Sequence, residues 1–429
     1  MEKIVIKGIS KLFGRSPTEA LRLLAAGATK EEVQRRTGTT VGVYDVNLTI
    51  NAGEVFVVMG LSGSGKSTLL RCINRIHNPT TGQIIVDGQD ITALNERELR
   101  EVRRKKFGMV FQRFALFPHR TVLGNVEYGL EVQGVPPRER RERALATLRA
   151  VGLEGWENHR PDQLSGGMQQ RVGLARALAV DPEILLMDEA FSALDPLIRK
   201  EMQDELLALQ TSMRKTIVFI THDLDEAVKL GDRIAVMRDG RVVQVGTPEE
   251  IMSNPADDYV AAFTEDLDRT KVLTAGSVMQ PLKARLRPKD GPAMALHILR
   301  RAAVSSLIAV DDAGRFAGLI TADDVLRAAQ DRAPSLQPYL ITDVKPVPRD
   351  TPLRDVIAGG VGAHWPLPVI DGNGRVVGVL VKGAILAALA RATGTNEPGA
   401  DAGARGTDTE NGGDVPSPDG KEKVYHATS

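Results

Sequence analysis

Over the first 265 residues, short runs of β-branched and aliphatic residues alternate with longer stretches of helical periodicity, a pattern that predicts an α/β fold. Glu54-Val-Phe-Val-Val-Met-Gly60 reads as a buried strand that runs into a Gly-rich turn. Ile184-Leu-Leu-Met-Asp188 is apolar until its closing carboxylate, as expected of a strand covered on both faces. Thr216–Thr221 and Arg233–Met237 are two more predicted strands. Residues 16–38 are charged and Leu/Ala-rich, with Leu21, Leu24 and Ala28 at helical spacing. This stretch is expected to be a helical insert packed as a surface hairpin; a contact with a partner protein is the alternative.

The texture changes near residue 275, where an internal repeat begins. Val310-Asp-Asp-Ala-Gly-Arg-Phe-Ala-Gly-Leu-Ile320 matches Ile370-Asp-Gly-Asn-Gly-Arg-Val-Val-Gly-Val-Leu380 at an offset of 60 residues. Each copy reads as strand, Asp/Gly turn, strand and helix, the helices at Asp324–Gln330 and Ala384–Arg391. Two small units that cannot each bury an apolar face alone imply a pseudo-twofold α+β module, with copies at 275–332 and 338–393. Residues 394–429 are rich in Gly, Asp, Pro, Ser and Thr, and are expected to be disordered because they offer little apolar surface to offset ordering entropy.

Composition sharpens this picture in three ways. The 429 residues suggest two or three domains. Lys+Arg and Asp+Glu both total 55, and a chain of zero net charge lacks the basic excess of a broad nucleic-acid surface. One cysteine, Cys72, cannot build an intramolecular disulfide framework and suits a reducing compartment. No apolar run reaches the ~18 residues of a membrane span, and the N-terminus does not read as a signal peptide. Work at a membrane would therefore be done from its cytoplasmic side, through partners.

The chemistry concentrates after the first buried strand. Gly60-Leu-Ser-Gly-Ser-Gly-Lys-Ser-Thr68 satisfies the GxxxxGK[ST] pattern between a strand and a helix. In such a loop Gly60, Gly63 and Gly65 let the N–H groups of Ser62, Ser64 and their neighbours through Thr68 converge on phosphate oxygens at a helix N-terminus. Lys66 is expected to neutralise β/γ-phosphate charge and Ser67 to ligate Mg²⁺. Asp188, a carboxylate ending an apolar strand, is the expected Mg²⁺-linked acid. Glu189, one residue further, can orient water for in-line attack on the γ-phosphorus.

Further residues carry a family resemblance. Leu164-Ser-Gly-Gly-Met-Gln-Gln-Arg171 resembles the signature of ATP-binding cassette (ABC) proteins, and Ser192-Ala-Leu-Asp195 resembles their D-loop. Gln112 matches their Q-loop glutamine and His222 their switch histidine, all in the family's order. The resemblance implies an ABC nucleotide-binding domain over residues 1–265, with a RecA-like core, an antiparallel β subdomain and a helical subdomain at about 115–165. It also implies a head-to-tail homodimer with two ATP molecules between the cassettes. Ser165, Gly166 and Gly167 of one copy would face the γ-phosphate held by Lys66 of the other. Asp195 would communicate between the sites, His222 would sense the γ-phosphate, and Gln112 would couple Mg²⁺ and water to the helical subdomain. Met168 departs from the usual glutamine of the signature. These cassettes stack an aromatic on adenine; Phe13 has the usual local context, whereas Tyr44 lies nearer Gly60 in sequence.

With the segment Glu189-Ala-Phe-Ser-Ala-Leu-Asp-Pro-Leu-Ile-Arg199, the insert and the repeat, the chain resembles the ATPase subunits of glycine betaine/proline-type osmoprotectant importers. The repeat then resembles a tandem pair of cystathionine-β-synthase (CBS) motifs. Implied partners are an integral-membrane permease, a periplasmic or extracellular substrate-binding protein and no nucleic acid, with the chain peripheral on the cytoplasmic face of the bacterial inner membrane. Phe114, Leu116, Phe117 and Pro118 form an apolar stretch suited to the permease's cytoplasmic coupling helix, or to the core of the helical subdomain. Thr321-Ala-Asp-Asp324 resembles the ribose-gripping pattern of nucleotide-binding CBS motifs; Val381-Lys-Gly-Ala384 in the second copy does not. The CBS pair is thus expected to contact a nucleotide or anionic lipid, or to sense charge. Competing readings are an importer of another small solute such as an amino acid, a non-transport ABC ATPase, and a metabolite sensor.

Overall fold

The central strands alternate between two apolar layers, and this alternation decides where everything else packs. In the computed structural model, Phe107–Val110, Ile184–Asp188, Thr216–Thr221, Val55–Met59 and Arg233–Arg238 run parallel in that spatial order, and Arg241–Gly246 adds an antiparallel edge. Val55, Val57 and Met59 enter one apolar cluster, whereas Phe56 and Val58 enter another on the opposite face, as a side-chain period of two requires. Leu185 and Met187 divide from Ile184 and Leu186 in the same way. The first cluster lies under helices Val122–Val132, Gly166–Ala179 and Pro196–Met213; the second is shared with a four-stranded antiparallel sheet built on Glu2–Phe13 and Thr40–Asn51. The structure describes residues 1–112, 114–265, 270, 272–282, 284–359 and 366–390.

Between Phe13 and Thr40 the chain makes a closed excursion, because these two residues pair in the antiparallel sheet. The excursion is two helices, Pro17–Ala25 and Lys30–Thr37. Thr29 and Glu32 form a reciprocal capping box at the second, which ends at left-handed Gly38. Ala20, Leu24 and Val33 bury against Leu12 and Val41, so the insert is a packed hairpin on the sheet.

The C-terminal half contains two antiparallel hairpins, Ser306–Val310 with Phe316–Thr321 and Leu367–Ile370 with Val376–Leu380. The helices that follow begin earlier than expected, at Ala322 and Lys382; Arg391 and the tail 394–429 lie outside the described residues. The two copies exchange their leading segments. Gln280–Pro281, ahead of the first hairpin, pairs with Gly378 and Val379 of the second, and Ile341, ahead of the second, bridges to Leu319 of the first. The repeats are therefore interleaved, with a shared cluster of Ile308, Val310, Leu319 and Val376.

An ionic network ties the antiparallel sheet to the core. Lys3 Nζ lies 2.7 Å from Asp87 Oδ1 and also meets Glu183, next to the Ile184–Asp188 strand, while Lys106 pairs with the other Asp87 oxygen. Burial alone would raise the Asp87 carboxyl, but the Lys106 and Lys3 ammoniums hold it below its ordinary value. A depressed carboxylate stabilises the fold above its unfolded pKa, near 4, and loses that contribution as pH falls through the folded value. Asp87→Asn should cost roughly 1 kcal/mol near neutral pH, a figure already reduced for solvent screening. The deficit should shrink below about pH 4, measured by denaturant midpoints of both proteins at pH 7 and 3.5; a deficit independent of pH would contradict the ionic origin.

Candidate active site

Three parallel strands end side by side, and each end launches one part of the site. Met59 is in register with Thr221, and Asp188 with Ile220, so Gly60, Glu189 and His222 begin adjacent loops at the carboxyl edge where open α/β sheets bind ligands. The phosphate loop fits only because of its glycines. A Cβ on Gly60 would fall 2.2 Å from Met237 O, and one on Gly65 would fall 2.3 Å from Gly42 O, with Gly65 at φ +103°. The hairpin turn at Gly240 braces the loop, its N–H donating to Ser64 O at 2.9 Å. The Ser64 hydroxyl is buried and has no hydrogen-bond partner among the described residues.

The two adjacent carboxylates take different partners. Asp188 is 2% exposed; Ser67 Oγ donates to its Oδ1 at 2.7 Å, and Arg71 Nη2 donates to Oδ2 at 3.3 Å. Glu189 gathers the other groups. Gln112 Nε2 donates to Glu189 Oε2 at 3.0 Å, His222 Nδ1 lies 3.5 Å from the same oxygen, and Lys66 Nζ is 4.0 Å from Oε1. Lys66 also donates to the carbonyls of Gly60 (2.8 Å) and Leu61 (3.1 Å). Burial pulls the Lys66 ammonium below its ordinary value, and the Glu189 and Asp188 carboxylates oppose that fall. Glu189 has φ +45°, a left-handed conformation costly for a residue with a side chain. Its N–H is fixed on Ile220 O at 3.1 Å. The arrangement offers a phosphate-binding loop with a cation and a carboxylate beside it to hold a water proton.

Comparison with known proteins decides the family. Residues 43–192 match the ABC transporter model, and residues 275–331 and 338–391 match the CBS domain. The glycine betaine transport ATP-binding protein OpuAA of Bacillus subtilis (strain 168) is 53% identical over 401 residues, 92% of this chain and 96% of that one. The glycine betaine/proline betaine transport system ATP-binding protein ProV of Salmonella typhimurium (strain LT2) is 48% identical over 397 residues, 92% and 99% of the two chains. A solved dimeric ABC transporter cassette, MJ0796, is similar over 57% of this chain and 98% of that one, at 36% identity and a TM-score of 0.49. The chain belongs to the ATP-binding subunits of ABC transporters. It is an ATPase.

Other ABC residues lie apart from this cluster. Ser165 caps the Gly166–Ala179 helix, its hydroxyl accepting from Met168 N–H at 3.3 Å, and Gly166 and Gly167 form the first turn. Gly167 lies against Ile198, where a Cβ would fall 2.6 Å from Cγ2. Among the described residues, no hydrogen bond or ion pair joins Ser165, Gly166 or Gly167 to the phosphate loop. Asp195 caps the next helix, accepting from Ile198 N–H at 3.1 Å. Met168 packs against the apolar cluster between the central sheet and the helices on that face.

Phe13 and Tyr44 are separated by the fold. Gly42 lets Phe13 approach the phosphate-loop helix: a Cβ there would fall 2.8 Å from Thr68 Cγ2 and 2.9 Å from Phe13 Cε2. Phe13 is 38% exposed, and its ring meets His77 edge-on at 5.3 Å. Tyr44 packs with the insert, under the Arg241 guanidinium 4.3 Å from its centroid. Two neighbours of the site escaped the sequence reading. Arg71 was within reach of it, lying four residues and one helical turn after Ser67. Lys30, whose Nζ donates to Gly63 O at 3.2 Å, comes from the insert and carries no local signal.

Phe13→Ala should weaken ATP binding roughly ten-fold, the scale of about 1–3 kcal/mol for stacking a base on an aromatic ring. Tyr44→Ala should leave the nucleotide Kd within about two-fold and lower thermal stability instead. Titration with a fluorescent ATP analogue distinguishes the two; the reverse ranking would move the adenine to Tyr44.

Proposed function

We propose that two copies of this chain hydrolyse ATP to drive import of a quaternary-amine osmoprotectant, such as glycine betaine, through a separate integral-membrane permease. The convergence of Lys66, Gln112 and His222 on the Glu189 carboxylate carries the catalytic part. The near full-length relatives, named for glycine betaine transport, support the transported class. Among the described residues, no helix is long and apolar enough to cross a membrane; in this reading the chain is a peripheral, cytoplasm-facing subunit of the bacterial inner membrane that works with a substrate-binding protein on the far side.

Glu189 would accept a proton from the attacking water as its oxygen bonds to the γ-phosphorus and the bond to the β,γ-bridging oxygen breaks. His222 and Gln112, both at Glu189 Oε2, would orient that carboxylate and the γ-phosphoryl group that water attacks. Lys66 would exchange its loop carbonyls for phosphate oxygens. The donor set fits Mg²⁺, because the Ser67 hydroxyl, the Asp188 carboxylate and the Gln112 amide supply hard oxygen ligands. With Mg²⁺ held there, charge on the β- and γ-phosphates would be neutralised. Ser165 and Gly166, exposed at the start of their helix, and the half-buried Gly167 would reach the γ-phosphate bound by the other copy.

The surface offered to the permease would centre on Phe117. Its ring lies 4.6 Å from Tyr128, and Arg120 covers both rings. Phe114 and Leu116 instead pack against the core, so the apolar stretch divides between two tasks. In the CBS pair, Thr321 and Asp324 form a reciprocal helix cap, Oγ1 donating to Asp324 Oδ2 at 2.6 Å, and Arg327 takes the other oxygen. With the carboxylate engaged in this way, we favour regulation by charge at anionic surfaces over a ribose grip at this position.

Glu189→Gln should retain ATP binding while turnover falls by about 10²–10⁴-fold, the range for losing a general base; near-normal hydrolysis in the reconstituted transporter would remove Glu189 from that role. Phe117→Asp should leave ATP hydrolysis running but abolish uptake of radiolabelled betaine into vesicles, and full uptake would contradict the docking role. Removing residues 275–393 should flatten the dependence of uptake on salt concentration, and an unchanged salt profile would sink the regulatory reading.

A further inference from the structure

Arg199 lies in the first turn of the Pro196–Met213 helix and reaches back across the D-loop. Its Nη2 donates to Leu194 O at 3.1 Å and Ser192 O at 3.4 Å, while Nη1 stands 3.5 Å from Asp223 Oδ2. Both ends of this bridge are tied to the site. Ser192 donates twice to the Glu189 carbonyl, from its N–H at 3.1 Å and its Oγ at 2.9 Å. Asp223 follows His222 in sequence, and its Oδ1 caps the Leu224–Leu230 helix by accepting from Glu226 N–H at 3.1 Å. The guanidinium thus spans two segments that launch from adjacent strands.

We propose that Arg199 is a positioning residue that clamps the turn carrying Glu189 to the loop carrying His222. Glu189 holds a left-handed backbone, and such a conformation persists only where its surroundings over-determine it. The Ser192 bonds supply one restraint on that turn, and Arg199 fixes the turn in its place by gripping the Ser192 and Leu194 carbonyls. Its ion pair with Asp223 then sets the spacing between Glu189 and His222, whose Nδ1 lies 3.5 Å from Glu189 Oε2. A displacement of the D-loop is passed through Arg199 to the loop that carries His222. The planar fork of arginine suits the task; the single ammonium of a lysine cannot engage both the carbonyls and the carboxylate.

The proposal rests on the reading of Glu189 and His222 as residues that act at the γ-phosphate, and its test separates the two. Arg199→Ala, Arg199→Lys, Asp223→Asn and the double variant Arg199→Ala/Asp223→Asn are measured beside Glu189→Gln, each as the full chain in the assembled transporter. Arg199→Ala should lower kcat by roughly 10–100-fold while the nucleotide Kd stays within about three-fold, the signature of an interaction needed in turnover and not in binding. Arg199→Lys should recover part of the loss, and the double variant should be no worse than Arg199→Ala, because the partners act as one unit. Asp223→Asn retains an oxygen for the helix cap, so it decides the matter if Arg199→Ala does not fold. Wild-type kcat in Arg199→Ala or Asp223→Asn, additive losses, or an equal loss of nucleotide binding would each overturn the clamp. If Glu189→Gln hydrolyses ATP normally, the underlying reading fails instead; if it is inactive while both clamp variants are unimpaired, only the clamp falls.

Discussion

The parallel register of three strands is the constraint on which the site depends. Val55–Met59, Thr216–Thr221 and Ile184–Asp188 are hydrogen-bonded neighbours, so their carboxyl ends cannot move independently. Each strand is buried on both faces, and a slip of one residue would send its whole apolar set to the wrong layer. The same burial that stabilises the core therefore fixes Gly60, Glu189 and His222 relative to one another. The loops need only short excursions from a rigid edge, which is how groups separated by more than a hundred residues in sequence come to share one carboxylate.

Within that frame the two acidic neighbours are kept distinct by backbone geometry. Asp188 completes the strand, faces the phosphate-loop helix and collects Ser67 and Arg71. Glu189 leaves the strand in a left-handed conformation, which re-aims its side chain toward Gln112, His222 and Lys66. Had the chain stayed extended, strand alternation would have sent residue 189 to the opposite face from Asp188. The positive φ is a local strain that places a second carboxylate beside the first while giving the two different hydrogen-bond partners. Lys66 sits near both, and its burial makes that proximity count: the two carboxylates oppose the desolvation of its ammonium, beside the Gly60 and Leu61 carbonyls that accept from it.

Much of this is legible in the sequence alone, because a phosphate loop, a strand-ending acid pair and their order along the chain are local features. What was not legible came from contacts across long separations. The insert moved Phe13 away from Gly60 in sequence, yet the pairing of Phe13 with Thr40 cancels that displacement in space. Lys30, Arg71 and Arg199 act through contacts that depend on tertiary packing, and of these only Arg71 had a helical spacing to betray it. Thr321 and Asp324 show the converse problem. The same Thr-x-x-Asp spacing serves a ribose contact or a helix cap, and the sequence could not separate them; the structure engages both side chains in the cap. The interleaving of the two CBS copies was likewise hidden, since it arises from short leading segments with little pattern of their own.

The same geometry explains why one chain is an incomplete machine under the proposed reading. The first turn of a helix presents N–H groups that lack intrahelical partners and a dipole that favours an anion. In the Gly166–Ala179 helix, Ser165 satisfies only the Met168 N–H with its side chain, and glycines at the two positions before Met168 leave the backbone open to close approach. Nothing among the described residues brings this helix start to its own phosphate loop, where Lys66 and Glu189 already face each other. Under the proposed reading the anion for this helix comes from the triphosphate bound to a second copy of the chain. Pairing would leave each Glu189 to act on a γ-phosphate held from two sides, so hydrolysis becomes conditional on association. A subunit built this way can be governed by anything that changes how readily two copies close, without altering a residue that touches the nucleotide.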